Sequence, residues 1–92
     1  MASVVVTGAV ENAANWEKEF RTHVELFRSQ TSVSPMRFTV TDDNQFAIYT
    51  EVTDLDTFQD VLNSQATVDA MINDGVKRET VQVHVLDREL EL

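Results

Sequence analysis

Residues 36–53 read MRFTVTDDNQFAIYTEVT, Met36 through Thr53, and this stretch decides the fold. Met36–Thr41 and Phe46–Thr53 are both rich in β-branched and aromatic side chains, which suit a pleated, half-buried surface. Between them stands Asp42-Asp43-Asn44-Gln45, whose short polar side chains bond their own backbone and stabilise a tight turn. Two strands flanking such a turn make a β-hairpin. Successive strand side chains point to opposite faces. Phe38, Val40, Phe46 and Ile48 therefore share one face, and Arg37, Thr39, Thr41, Ala47, Tyr49 and Glu51 share the other.

Upstream of the hairpin, Trp16, Phe20, Val24 and Phe27 recur at the spacing of one helical face, predicting a helix between Asn12 and Gln30. Asn12 suits its N-cap, Glu17 and Glu19 its positive end, and Arg28 its negative end. Thr31-Ser32-Val33-Ser34-Pro35 breaks it. Ser3–Thr7 is a β-branched run ended by Gly8, which predicts a first strand.

Downstream, Asp54 or Asp56 can cap a second helix carrying Leu55, Phe58, Val61 and Leu62 on one face. Asn63-Ser64-Gln65 weakens it, and a further helical stretch with Val68, Met71 and Ile72 stops at Gly75. Thr80–Leu86 alternates Val81, Val83 and Val85 against Gln82, His84 and Leu86, a half-buried strand whose alternation the tail Asp87–Leu92 continues. The order is βαββαβ. It predicts a single α+β domain of ferredoxin-like layout over residues 1–92, with helices on one face of a four-stranded antiparallel sheet.

Composition narrows the partners. The formal net charge of −9, with Lys77-Arg78 the only adjacent basic pair, argues against nucleic acid and anionic membranes. No apolar stretch approaches the ~20 residues that cross a bilayer, and Met1–Thr7 lacks the basic start of a signal peptide. A cytoplasmic protein is expected. The chain has no cysteine and only two histidines, so no metal site is expected. Asp42, Asp43, Asp54 and Asp56 read as turn and cap residues, since the spacing lacks the pattern of a calcium loop. The only glycines, Gly8 and Gly75, form no phosphate-binding loop, and no cofactor is expected.

Extending the alternation to the outer strands sorts the sheet. Val4, Val6, Phe38, Val40, Phe46, Ile48, Val81, Val83 and Val85 form a wholly apolar face that must lie beneath the helices. The opposite face carries Val5, Thr7, Arg37, Thr39, Thr41, Ala47, Tyr49, Glu51, Gln82, His84 and Leu86. That mixed set fits either a wet face or one covered by a second copy. The homodimer is the favoured expectation.

The segment Tyr49-Thr50-Glu51-Val52-Thr53-Asp54-Leu55-Asp56-Thr57-Phe58, followed by Leu62-Asn63-Ser64-Gln65, resembles the strand-to-helix passage of dimeric α/β-barrel proteins. It is similar in particular to antibiotic-biosynthesis-monooxygenase-like domains, in which a glutamate near the strand end precedes an acidic helix cap. Glu51 and Asp54 match that pattern; Thr53 and Leu62 depart from it, where an aromatic residue and a histidine are usual. The resemblance implies cofactor-free oxygenation or isomerisation of an aromatic or enolisable substrate.

Two constellations could carry chemistry. On the helical wheel His23 falls between Trp16 and Phe27, so Trp16, Phe20, His23 and Phe27 would line a pocket between helix and sheet. There His23 serves as a general base or ligand anchor, or as a buried histidine satisfied by the backbone. Arg37, Thr39, Tyr49, Glu51 and His84 share the mixed face. They read either as an acid–base or ligand-gripping cluster or as an Arg37–Glu51 ion pair at an interface. Two functions follow: a small protein binding a mainly apolar molecule, with monooxygenase- or isomerase-like activity, or a non-catalytic ligand-sensing or assembly module.

Overall fold

The hairpin forms as its residues direct. In the computed structural model, which describes residues 1–92, β2 (Ser32–Val40) and β3 (Gln45–Val52) pair antiparallel, with Phe38 opposite Ile48 and Val40 opposite Phe46. Asn44 closes the turn at a φ of 62°, a left-handed conformation that asparagine tolerates better than most residues. The other elements are β1 (Ala2–Val10), α1 (Ala13–Phe20), α2 (Val24–Ser29), α3 (Leu55–Leu62), α4 (Gln65–Asn73) and β4 (Val76–Leu86). The strands make one antiparallel sheet in the order β2-β3-β1-β4, the ferredoxin-like arrangement. No helix is long and apolar enough to cross a membrane.

Register places the two faces as the alternation predicts. Arg37, Tyr49, Val5 and His84 form one continuous row across the outer face, and Phe38, Ile48, Val6 and Val83 form an inner one. The core gathers Val4, Val6, Val10, Phe46 and Val52 from the sheet with Trp16, Phe20 and Phe58 from the helices. Full burial of each such side chain stabilises the fold by roughly 1.5–3 kcal/mol. Helix caps match their sequence signals. Asn12 Oδ1 accepts from Asn15 N at 2.9 Å and Asp54 Oδ1 from Thr57 N at 3.1 Å. The Thr57 backbone N–H, with the Thr57 side chain, holds the Asp54 carboxyl below the usual carboxylate range.

Five expectations are corrected. The first strand runs through Gly8 to Val10, because Gly8 leaves room for the Phe46 ring against the sheet. The 12–30 helix is two: Arg21–His23 form a turn in which the Thr22 hydroxyl donates to Glu19 O and His23 N to Phe20 O. Val24 consequently turns outward and is exposed. Pro35 lies inside β2, which is an edge strand and so loses no sheet bond to a missing N–H. β4 begins at Val76, joined to Thr80 across an irregularity in which two steps along β1 (Thr7 to Ala9) face five along β4. The Thr80 hydroxyl there accepts from Ala9 N at 2.8 Å, replacing the lost ladder bond. The tail Asp87–Leu92 does not extend the strand, having no neighbour with which to pair. One residue expected beneath the helices also lies further out, Val83 at 37% exposure.

Candidate active site

Between the inner sheet face and the helices lies a cavity of about 80 Å³. Trp16 and Phe20 of α1, Phe27 of α2, Phe46 and Ile48 of β3 and Phe58 of α3 line much of it. The aromatic rings brace one another. Trp16 stacks on Phe20 and Phe46 with centroids 4.6 and 5.1 Å apart, and Phe20 meets Phe27 at 4.9 Å. Arg21 covers the Phe38 ring from outside, its Cζ 5.1 Å from the centroid.

Few polar groups break this wall, and the main one is a pair. His23 Nε2 lies 2.9 Å from Asp74 Oδ1 across 51 residues of sequence. Asp74 is 4% exposed and ends α4, while His23 sits in the turn opening α2. A carboxylate only accepts, so Nε2 donates to Asp74. Asn73 Nδ2 donates to the same Asp74 oxygen at 3.1 Å and to Glu19 Oε2 at 3.2 Å, tying the C-terminal ends of α1 and α4. Thr50, Thr67 and Gln30 are the other buried polar residues of the lining. Thr67 Oγ1 donates to Val61 O at 2.6 Å and receives a long bond from Gln30 Nε2 at 3.4 Å.

Trp16, Phe20, His23 and Phe27 thus stand together around one cavity, although His23 reaches it from a turn and not from a continuous helix. Asp74, Thr50, Thr67 and Gln30 were not among the site residues expected from sequence. A signal for Asp74 existed. An acid at a helix C-terminus faces the negative end of the helix dipole, so Asp74 before Gly75 is out of place unless a partner needs it.

The outer-face residues are only partly assembled. Arg37, Tyr49 and Glu51 share an open groove of about 510 Å³ with Val33, Ser34 and Pro35. Tyr49 Oη lies 3.2 Å from both Ser3 Oγ and Glu51 Oε1. The Arg37–Glu51 ion pair does not form: Arg37 faces Tyr49 and Glu51 faces Val33. Thr39 lies in the next row, opposite Ala47, and His84 is two strands from Tyr49 across Val5. No three histidines and acids cluster as a metal site would require.

No family model and no curated protein matches the sequence. Solved structures match it along its length. SnoaB, a cofactor-independent oxygenase from Streptomyces nogalater, superposes with a TM-score of 0.69 at 19% identity, over 99% of this chain and 95% of its own. A candidate antibiotic biosynthesis monooxygenase from Bordetella bronchiseptica gives a TM-score of 0.74 at 14% identity over 97% of both chains. One from Deinococcus radiodurans gives 0.66 at 13% identity over 100% of this chain and 96% of its own. The fold of this chain is therefore that of the ferredoxin-like, antibiotic-biosynthesis-monooxygenase-like proteins.

Proposed function

We propose that the chain binds a small, mainly apolar aromatic or enolisable molecule in the helix–sheet cavity and oxygenates it without a cofactor. The observation that carries this reading is the His23–Asp74 pair: a buried carboxylate fixing one nitrogen of an imidazole in an aromatic-lined cavity. The likeness in fold to a protein described as a cofactor-independent oxygenase supports the same reaction class.

His23 Nδ1 takes a proton from an acidic C–H or O–H of the substrate, and Asp74 stabilises the imidazolium that forms. The aromatic walls exclude water and hold the flat anion. That electron-rich anion reduces dioxygen directly. In the overall balance a substrate methylene becomes a carbonyl, one oxygen atom entering the product and the other leaving as water.

The test is oxygen uptake with a panel of phenols and enolisable ketones. The wild type should turn over at least one of them, and His23→Gln should lower kcat about 100-fold or more, within the range of general base catalysis. Binding unchanged in both proteins, with turnover in neither, would point instead to a ligand sensor.

The same reading includes a homodimer formed through the outer sheet face. Arg37 and Glu51 make no ion pair within the chain, and Leu86, two strands from Glu51 across Ser3 on the same face, is 52% exposed. An equivalent face from a second copy would supply partners for all three.

A further inference from the structure

One buried group of the cavity is short of partners. Asp74 accepts from His23 and Asn73, Thr67 donates to Val61 O and accepts from Gln30, and the Thr50 hydroxyl reaches Glu51 O at 3.4 Å. Gln30 is 5% exposed and lines the cavity. Its carboxamide nevertheless makes a single bond, from Nε2 to Thr67 Oγ1 at 3.4 Å. That is longer than the roughly 2.7–3.2 Å usual for an N–H···O bond. A carboxamide offers two donor hydrogens and an oxygen with two lone pairs, and buried polar groups are almost always bonded.

Thr67 fixes which end of the amide is free. Its hydroxyl hydrogen goes to Val61 O at 2.6 Å, so toward Gln30 it can only accept, and it must meet the nitrogen. The amide oxygen turns the other way and accepts from no group of the chain. Ser32 Oγ is the one fully enclosed side-chain polar atom without a partner. The Gln30 oxygen, also without a partner, is therefore not enclosed. Open space lies beside it, and for a residue so deeply buried that space is the cavity. His23 opens α2 and Gln30 closes it, so one short helix brings a base and an acceptor to the same place.

We propose that Gln30 determines the specificity of the site: its carboxamide oxygen accepts a hydrogen bond from a ligand hydroxyl and selects enolisable molecules that carry one. A ligand of the same size without that hydrogen shuts the oxygen away unbonded. Sites built around a buried acceptor turn that cost into discrimination. His23 takes its proton from carbon, while Gln30 holds the hydroxyl in place and exchanges no proton. The inference rests on the proposed use of the cavity.

Hydroxyacetone and butanone test it. Both are enolisable ketones with the same number of non-hydrogen atoms, fewer than a benzene ring has, and they differ by a hydroxyl in place of a methyl group. The single tryptophan lines the cavity, so titration followed by its indole N–H resonance gives both affinities on the intact protein. The wild type should bind hydroxyacetone at least about tenfold more tightly than butanone, the worth of one net hydrogen bond to a buried group. Gln30→Met, of equal length and without that acceptor, should bring the two within twofold. Both ligands are measured on the same variant, so lost stability cancels. Should that variant fail to fold, the wild type still answers: the Gln30 carboxamide carbon resonance should move with hydroxyacetone and stay with butanone. If both ketones move Trp16 but the wild type binds them within twofold, or Gln30→Met keeps the preference, Gln30 selects nothing and only this inference falls. If neither ketone moves Trp16, the cavity takes no enolisable ketone, and the proposed function falls with it.

Discussion

At the residue scale the candidate chemistry depends on one imidazole and one carboxylate. Asp74→Asn keeps the size of the side chain but removes the charge that stabilises protonated His23. It should reduce kcat and leave KM nearly unchanged in steady-state kinetics, because it acts on a proton transfer and not on ring binding. Gly8 shows a different constraint, one of space. A Cβ there would lie 2.7 Å from Phe46 Cε2 and 2.9 Å from Cζ. That ring cannot yield, being buried and stacked on Trp16. Gly8→Ala should destabilise the fold by about 1–3 kcal/mol, the usual cost of overpacking, read from urea unfolding. Asp54 carries a pH effect whose sign is fixed by its folded pKa lying below its unfolded one. Its contribution is present above the unfolded pKa and is lost as pH falls through the folded pKa. Asp54→Asn, which retains an oxygen for the cap, should flatten that part of the acid limb in a series of Tm values.

At the element scale the division of Ala13–Ser29 into α1 and α2 shapes the site. α1 buries Trp16 and Phe20, whereas α2 buries none of its residues. Elements with few buried contacts open at low free-energy cost. Hydrogen exchange should therefore find the amides of α2 less protected than those of α1. β4 offers a sharper test. Its irregular stretch leaves Ala9 N to the Thr80 hydroxyl, and a part-buried donor without an acceptor costs about 1–3 kcal/mol. Thr80→Val has the same shape and no acceptor, so its loss of stability on chemical unfolding should fall in that range. The apolar spacing of Trp16, Phe20, Val24 and Phe27 predicted a continuous helix, and three of those four residues do reach the cavity. Periodicity records which side chains face inward. It does not record the turn at Arg21–His23, which depends on Thr22 and His23 finding backbone acceptors at Glu19 and Phe20.

At the scale of the molecule, charge and the outer face meet. Two copies of a chain carrying −9 repel each other, and added salt screens that repulsion over a Debye length of about 8–10 Å near physiological strength. Sedimentation velocity should find a dimer whose affinity rises with ionic strength. A monomer at every salt concentration would leave Arg37, Tyr49 and Glu51 on an ordinary wet face.

What the sequence determined by itself was local or periodic. The hairpin at Asp42–Gln45, the caps at Asn12 and Asp54, and the separation of the two sheet faces follow from turn chemistry, cap chemistry and the period of two. Each acts within a few residues of chain. Tertiary structure decided what lies far apart in sequence and close in space. His23 meets Asp74 across 51 residues, and Thr80 completes the bonding of Ala9 across 71. The reason is physical. A side chain's long-range partner is set by the packing of whole elements, to which every residue contributes and on which no local pattern reports.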